Sequence, residues 1–161
     1  MINGAARSNI KLLTQILDQG YAKKAWHGPN LRQALRGLSA KNAAWRPAPS
    51  RHSIWEVALH AAYWKYIVRR KLRGDKRGSF ALKGSNWFTR PAEGHGSDKA
   101  WHKDLALLEQ EHEKLMDAVA DIAAGKTRKI PCHFIFGVAS HDVYHAGQIR
   151  LLRRLCAGAE R

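Results

Sequence analysis

The stretch "ASHDVYHAGQIRLLRRL", residues 139 to 155, sets His141 and His145 four residues apart. At 100° per residue the two imidazoles fall within about 40° of each other on one helical face. That spacing lets one helix offer two ring nitrogens to a single metal ion. Phe134, Val138, Gln148, Leu152 and Leu155 share their side, and Arg150, Arg153 and Arg154 take the far side. Both histidines therefore point where leucines belong, into the interior of a bundle. His60 behaves alike. It sits in the stripe Val57, His60, Trp64, Ile67, with Lys65 and Arg69 directed away.

A single buried imidazole is ordinarily a core group satisfied by a hydrogen bond. Three converging ones leave polar atoms unsatisfied at roughly 1–3 kcal/mol each. A divalent ion removes that cost by taking a lone pair from each ring. The other six histidines weigh less. His112 lies on the seam of a helix and is a candidate fourth ligand, although a hydrogen-bonded core or rim role explains it more simply. His52 precedes a capping serine, His27 and His95 lie in connections, and His102 and His133 lie near helix starts. Glu56, one turn before His60, could orient a ligand, but a helix cap accounts for it. Asp142, rotated about 100° from His141, suits a surface or interface.

The elements that must position these residues are helical. Ile10, Leu13, Ile16, Leu17 and Tyr21 form one stripe from about residue 6 into the twenties. Residues 27 to 50 are broken by Gly28, Pro29, Pro47 and Pro49, and read as a connection with one or two helical turns. Ser53 with Glu56 forms a capping box that opens a second long helix, which runs to Gly74. A Gly-rich connection containing "GSNWF" spans residues 74 to 96, long enough to be functional or a crossover. Ser97 caps a third helix to about Ala124. Its positions Leu105, Leu108, His112, Leu115, Val119 and Ile122 step 3-4-3-4-3, and Gly125 ends it. The fourth runs from near His133 to about Cys156. No segment keeps a strand period. The expected architecture is all-α, a four-helix bundle with a long connection between the second and third helices, forming one domain over residues 1–161.

Bulk properties narrow the partners. The net charge of +15 favours anionic ligands. It is uneven, with seven Lys or Arg against one Asp in residues 65 to 77, and seven acids against three lysines in residues 98 to 121. A solvated face is the ordinary reading of such a basic run. No run of eighteen apolar residues occurs, so no membrane span is expected. The first residues lack the apolar stretch of a signal peptide. Cys132 and Cys156, if on one helix, stand 24 residues or about 36 Å apart, beyond disulfide reach. Together these features suggest a cytoplasmic protein.

The stretches "WHGPNLRQAL", "NAAWRPAPSRHSIWEVALHAAYW" and "GVASHDVYHAGQIRLL" resemble the DinB-like (DinB/YfiT) superfamily of metal-binding four-helix bundles, across nearly the whole chain. In that family one histidine of the second helix and an H-x-x-x-H pair of the last bind a divalent metal. By position these are His60, His141 and His145, the same three that the helical faces single out. The resemblance implies thiol-dependent transfer or isomerisation with a low-molecular-weight thiol, or metal-assisted hydrolysis, and it implies pairing as a homodimer.

The expected function is a metal-dependent enzyme acting on a small molecule, with water or a thiol at the open position of the ion. Zinc or nickel comes first, then iron, manganese or cobalt, because imidazole does not select among them. Trp26 and Trp87 are expected to wall the pocket, and Trp55, Leu59 and Tyr66 to supply an apolar dimer face. The alternatives are a basic nucleic-acid-binding protein and a stress-response scaffold with a structural or vestigial metal. No helix-turn-helix or zinc-finger spacing supports the former. Duplex DNA is accordingly expected to bind without sequence selectivity, and to be lost between about 50 and 200 mM salt. Submicromolar, sequence-selective binding at physiological salt in an anisotropy titration would reverse that ranking.

Overall fold

A computed structural model describes residues 4–76, 78–91, 96–126 and 132–159, and His95 lies outside them. Among the described residues the chain forms helices and no strand. Helix α1 is Gly4–Tyr21, α2 Leu31–Leu35, α3 Ala40–Ala44, α4 Ile54–Arg73, α5 Asp98–Ala123 and α6 Cys132–Ala159. None is long and apolar enough to cross a membrane.

Local chemistry sets the boundaries. Ser53 accepts from the Glu56 amide at 3.2 Å while the Glu56 carboxylate accepts from the Ser53 amide, closing the capping box that starts α4. Gly74 ends that helix at φ 74°, a left-handed geometry that costs glycine little. Asn30 with Gln33 makes a second capping box at α2, and Ser97 caps α5. The two short helices occupy the first connection, as its broken periodicity predicts.

The four long helices touch in a closed ring, with α1 against α6, α6 against α4, α4 against α5, and α5 against α1. Their apolar faces make two clusters. One gathers Trp55, Leu59, Ala62, Trp101, Leu108 and Ile149 with the short helices. The other gathers Leu17, Val68, Leu115, Ile122, Ile135 and Val138. Between them runs a polar layer. On α4 Lys65 separates Ala62 from Val68, and on α5 His112 separates Leu108 from Leu115. On α6 Asp142 and His145 separate Ala139 from Ala146.

Several expectations fail here. Lys65 does not point away, and Asp142 is not a surface residue. Both are fully buried and paired with each other. The helix-wheel reading missed this because it assigned charge to the outside without looking for a partner. Trp55, Leu59 and Tyr66 are core residues and offer no dimer face. The exposed apolar side chains of the C-terminal helix are Phe136, Tyr144, Leu151 and Leu155, so Leu155 faces out rather than in. Much of the basic run is occupied internally. Arg69 pairs with Glu111, Arg73 with Asp121, the Arg70 guanidinium donates to the Asp75 carbonyl, and Lys71 lies over the Phe134 ring.

Glu56 also receives the Arg46 guanidinium at 2.7 Å, the Arg90 amide at 3.3 Å and a contact from His52 at 3.2 Å. Burial alone would raise its pKa, but the bonds from Arg46, Ser53 and His52 outweigh burial and lower it. A lowered carboxyl pKa contributes stability that is present above the unfolded value and lost as pH falls through the folded one. Glu56→Gln is expected to flatten acid unfolding below the ordinary carboxylate range, and Ser53→Ala to cost about 1 kcal/mol in urea with an unchanged m-value. A Glu56→Gln acid profile matching the wild type would contradict this role.

Candidate metal centre

Beside the layer at which the two apolar clusters meet stand the three histidines picked out by helical phase. Packing α4 against α6 brings His60 Nε2 to 3.1 Å from His141 Nε2, and the i, i+4 spacing brings His145 Nε2 to 3.0 Å from the same atom. One ring nitrogen from each lies within 4.8 Å of the others. His60 and His145 are buried and His141 is half-buried.

Their proton positions follow from the partners. The Asn86 carbonyl accepts at 2.9 Å from His60 Nδ1, and a carbonyl cannot donate, so His60 carries its proton there. Gln148 Oε1 accepts at 2.6 Å from His145 Nδ1, while Gln148 Nε2 donates to the Tyr144 hydroxyl. Both rings therefore turn a bare Nε2 lone pair toward His141 Nε2. That atom has one in-plane site and can answer only one of them well. His141 Nδ1 is buried without a partner.

Burial is the leading cause that pushes the pKa values down, to about 3 for His141 and about 4 for His145, and it lowers His60 as well. Near-neutral pH thus leaves three neutral imidazoles whose Nε2 atoms meet, with the lone pairs of His60 and His145 both directed at His141. A divalent cation satisfies all three together. The nitrogen separations are close to those of ligands standing about 2.0–2.1 Å from one ion. The residues present fit such an ion.

The connection between α4 and α5 holds His60 in place. Asn86, at φ 64°, supplies the carbonyl, and its side-chain oxygen accepts from Trp64 Nε1 at 3.0 Å. Trp87 stacks on His60 with centroids 3.9 Å apart, and His52 stacks on its other face at 3.6 Å. Trp87 thus covers one face of the His60 ring. Trp26 is fully exposed and forms no wall. Asn86 and Gln148 were missed as orienting groups. Their only sequence signals are the tight "GSNW" turn and the i+3 position after His145.

His112 takes the core role. Its Nδ1 accepts from the Lys65 ammonium at 3.3 Å, its ring stacks on Tyr21 at 4.0 Å, and it stands outside the cluster. An apolar pocket of about 180 Å³ between Trp64, Val68, Phe134 and Val138 abuts His141. A larger cleft of about 620 Å³, lined by Tyr21, Arg32, Arg36 and Glu109, touches none of the three histidines.

A family model for the DinB superfamily matches residues 25–149, and the chain belongs to that superfamily. No curated protein and no solved structure matches it. The match contains His60, His141, His145 and the whole polar layer.

Folded-state histidine pKa values below the unfolded 6.5 mean that the unfolded chain binds more protons. This share of stability is complete above about 6.5 and is lost as pH falls toward 3. Metal-free protein is expected to weaken over that window in urea titrations. Its ¹⁵N-detected imidazole spectrum is expected to show His60 and His145 as Nδ1–H tautomers. An Nε2–H tautomer at either ring would contradict the geometry.

Proposed function

We propose that the protein is a metal-dependent enzyme in which His60, His141 and His145 hold one divalent ion that activates water or a thiol. The observation that carries this reading is the meeting of three neutral Nε2 atoms at one point, two of them with their protons fixed on the opposite nitrogen by Asn86 and Gln148. A site built as an inert core would pair each imidazole with its own donor or acceptor. This one directs two lone pairs at a single nitrogen of His141.

Three neutral ligands leave the ion's 2+ charge uncompensated and at least one position open, the mark of a catalytic rather than a closed structural site. Such an ion supplies an acidified water or a bound thiolate near neutral pH. The protein's own residues do the rest. Asn86 and Gln148 fix the ring tautomers and orientations. Trp87 screens His60 from solvent, and the half-buried His141 leaves the cluster reachable from the side of Trp64 and the 180 Å³ pocket. A small substrate fits that approach. The reaction classes that use this chemistry are hydrolysis and thiol-dependent transfer or isomerisation. Zinc or nickel suits the donor set, and iron, manganese or cobalt would also bind imidazole.

Metal analysis of tag-free protein after incubation with zinc or nickel tests the reading. About one equivalent is expected in the wild type and in His112→Ala, and a sharp loss in His145→Ala. The cobalt form is expected to change its d–d spectrum when a small thiol is added. Less than about a tenth of an equivalent in the wild type, or full occupancy in His145→Ala, would remove the site. A spectrum indifferent to thiols and small anions would make the metal structural.

A further inference from the structure

We propose that Lys65 and Asp142 are positioning residues for the metal centre: their buried ion pair fixes the register of α6 against α4, and with it the spacing of the His60, His141 and His145 Nε2 atoms. The inference rests on the metal reading above and concerns what holds the three ligands in place.

Placement is the first argument. All three imidazoles come from α4 and α6. Lys65 lies five residues beyond His60 on α4, and Asp142 immediately follows His141 on α6. Their bond therefore ties the two ligand-bearing helices at the level of the site. The ammonium is itself immobilised. His112 of α5 accepts from it at 3.3 Å, and Tyr21 of α1 lies beneath it with its ring centroid 4.6 Å away.

The second argument is energetic. Removing two charges from water carries a penalty that their attraction often fails to offset, and apolar replacements of such pairs are often neutral or stabilising. This pair is not even complete, because Asp142 Oδ1 is buried without a partner. Stability is thus a poor reason for its presence. Conformational definition is a better one. Apolar helix faces can settle in neighbouring registers, whereas an ammonium and a carboxylate sealed in a core have one seating.

Magnitude makes register matter here. Sliding a helix by one residue moves a ligand by about 1.5 Å. Metal–ligand distances tolerate about 0.2 Å. A slip far smaller than one residue would spoil a three-nitrogen site while leaving the apolar core well packed.

The test is the double variant Lys65→Met/Asp142→Leu, which replaces the pair with apolar groups of similar size. Zinc affinity is read by competition with a chromophoric chelator, and stability by the thermal midpoint of the metal-free protein. A midpoint close to the wild type is expected, the lost desolvation cost offsetting the His112 acceptor left unpaired, together with zinc affinity at least tenfold weaker and a broadened cobalt d–d band. Ile122→Ala, which empties part of the second apolar cluster ten residues beyond His112 on α5, is the control. It is expected to lower the midpoint and leave zinc affinity unchanged. If the double variant does not fold, Asp142→Glu carries the test, since it keeps both charges but lengthens the link by one methylene. Its zinc affinity is expected to fall severalfold. Wild-type affinity in whichever variant folds overturns the positioning role while leaving the metal centre intact. A wild-type protein that binds no zinc overturns both.

Discussion

The interaction on which this structure turns is the burial of one ammonium group. Lys65 is wholly enclosed, and each of the other three long helices sends it a partner: Asp142 from α6, His112 from α5 and the Tyr21 ring from α1. Burial pushes the lysine pKa down and the Asp142 pKa up, and in each case the partner's charge opposes that push. His112 is held neutral, down to about 2, first by burial and then by the lysine charge, so its Nδ1 remains an acceptor. A cation in the middle of a bundle is tolerable only if every helix contributes something to it. That requirement ties four amphipathic helices to one arrangement.

The histidine cluster inherits its surroundings from this layer. The Lys65 charge is among the influences that keep His141 unprotonated, after burial and the neighbouring imidazoles. The remaining support comes from outside the bundle. Glu56 gathers the Ser53 amide, Arg46 and the Arg90 amide, and Arg90 also pairs with Asp104. These bonds pin the far end of the connection whose middle delivers Asn86 and Trp87 to His60. A helix cap thereby becomes part of the scaffold of the site. Two of the three histidines have an oriented outer nitrogen. His141 does not, and its orientation rests on packing and on the ion it would bind.

Much of this was legible in the sequence, for identifiable reasons. Helix ends were readable because their signals are local: Ser53 with Glu56, Gly74, Ser97 and Gly125 each act within one turn. The three histidines were readable because helical phase converts spacing into direction. What periodicity could not show was pairing across helices. Lys65 and Asp142 are 77 residues apart. Taken singly, each reads as solvent-facing, and only the packed structure turns two misplaced charges into one satisfied pair. The same blindness placed Trp55, Leu59 and Tyr66 outside. A helix contacted on several sides has no apolar stripe to find, and α4 is buried around most of its circumference over residues 54 to 62. Asn86 was hidden for another reason, since its carbonyl rather than its side chain holds His60.

The charge of the chain and the charge of the site bear on each other. Three imidazoles contribute no negative charge, so an ion held by them would keep its 2+ field, inside a protein whose own net charge is +15. Both act in one direction. With an ion bound they would favour the anionic form of a further ligand, hydroxide over water or thiolate over thiol, and would draw small anions toward the cluster. Much of the basic run on α4 is engaged in bonds within the protein, to Asp142, Glu111, Asp121 and the Asp75 carbonyl. The carboxylates of Asp142, Glu111 and Asp121 neutralise part of the positive potential locally. A net charge of +15 spread beyond that run gives a diffuse positive field around the molecule. A diffuse field raises the local concentration of small anions without selecting a polymer, which agrees better with a small-molecule enzyme than with a nucleic-acid-binding protein.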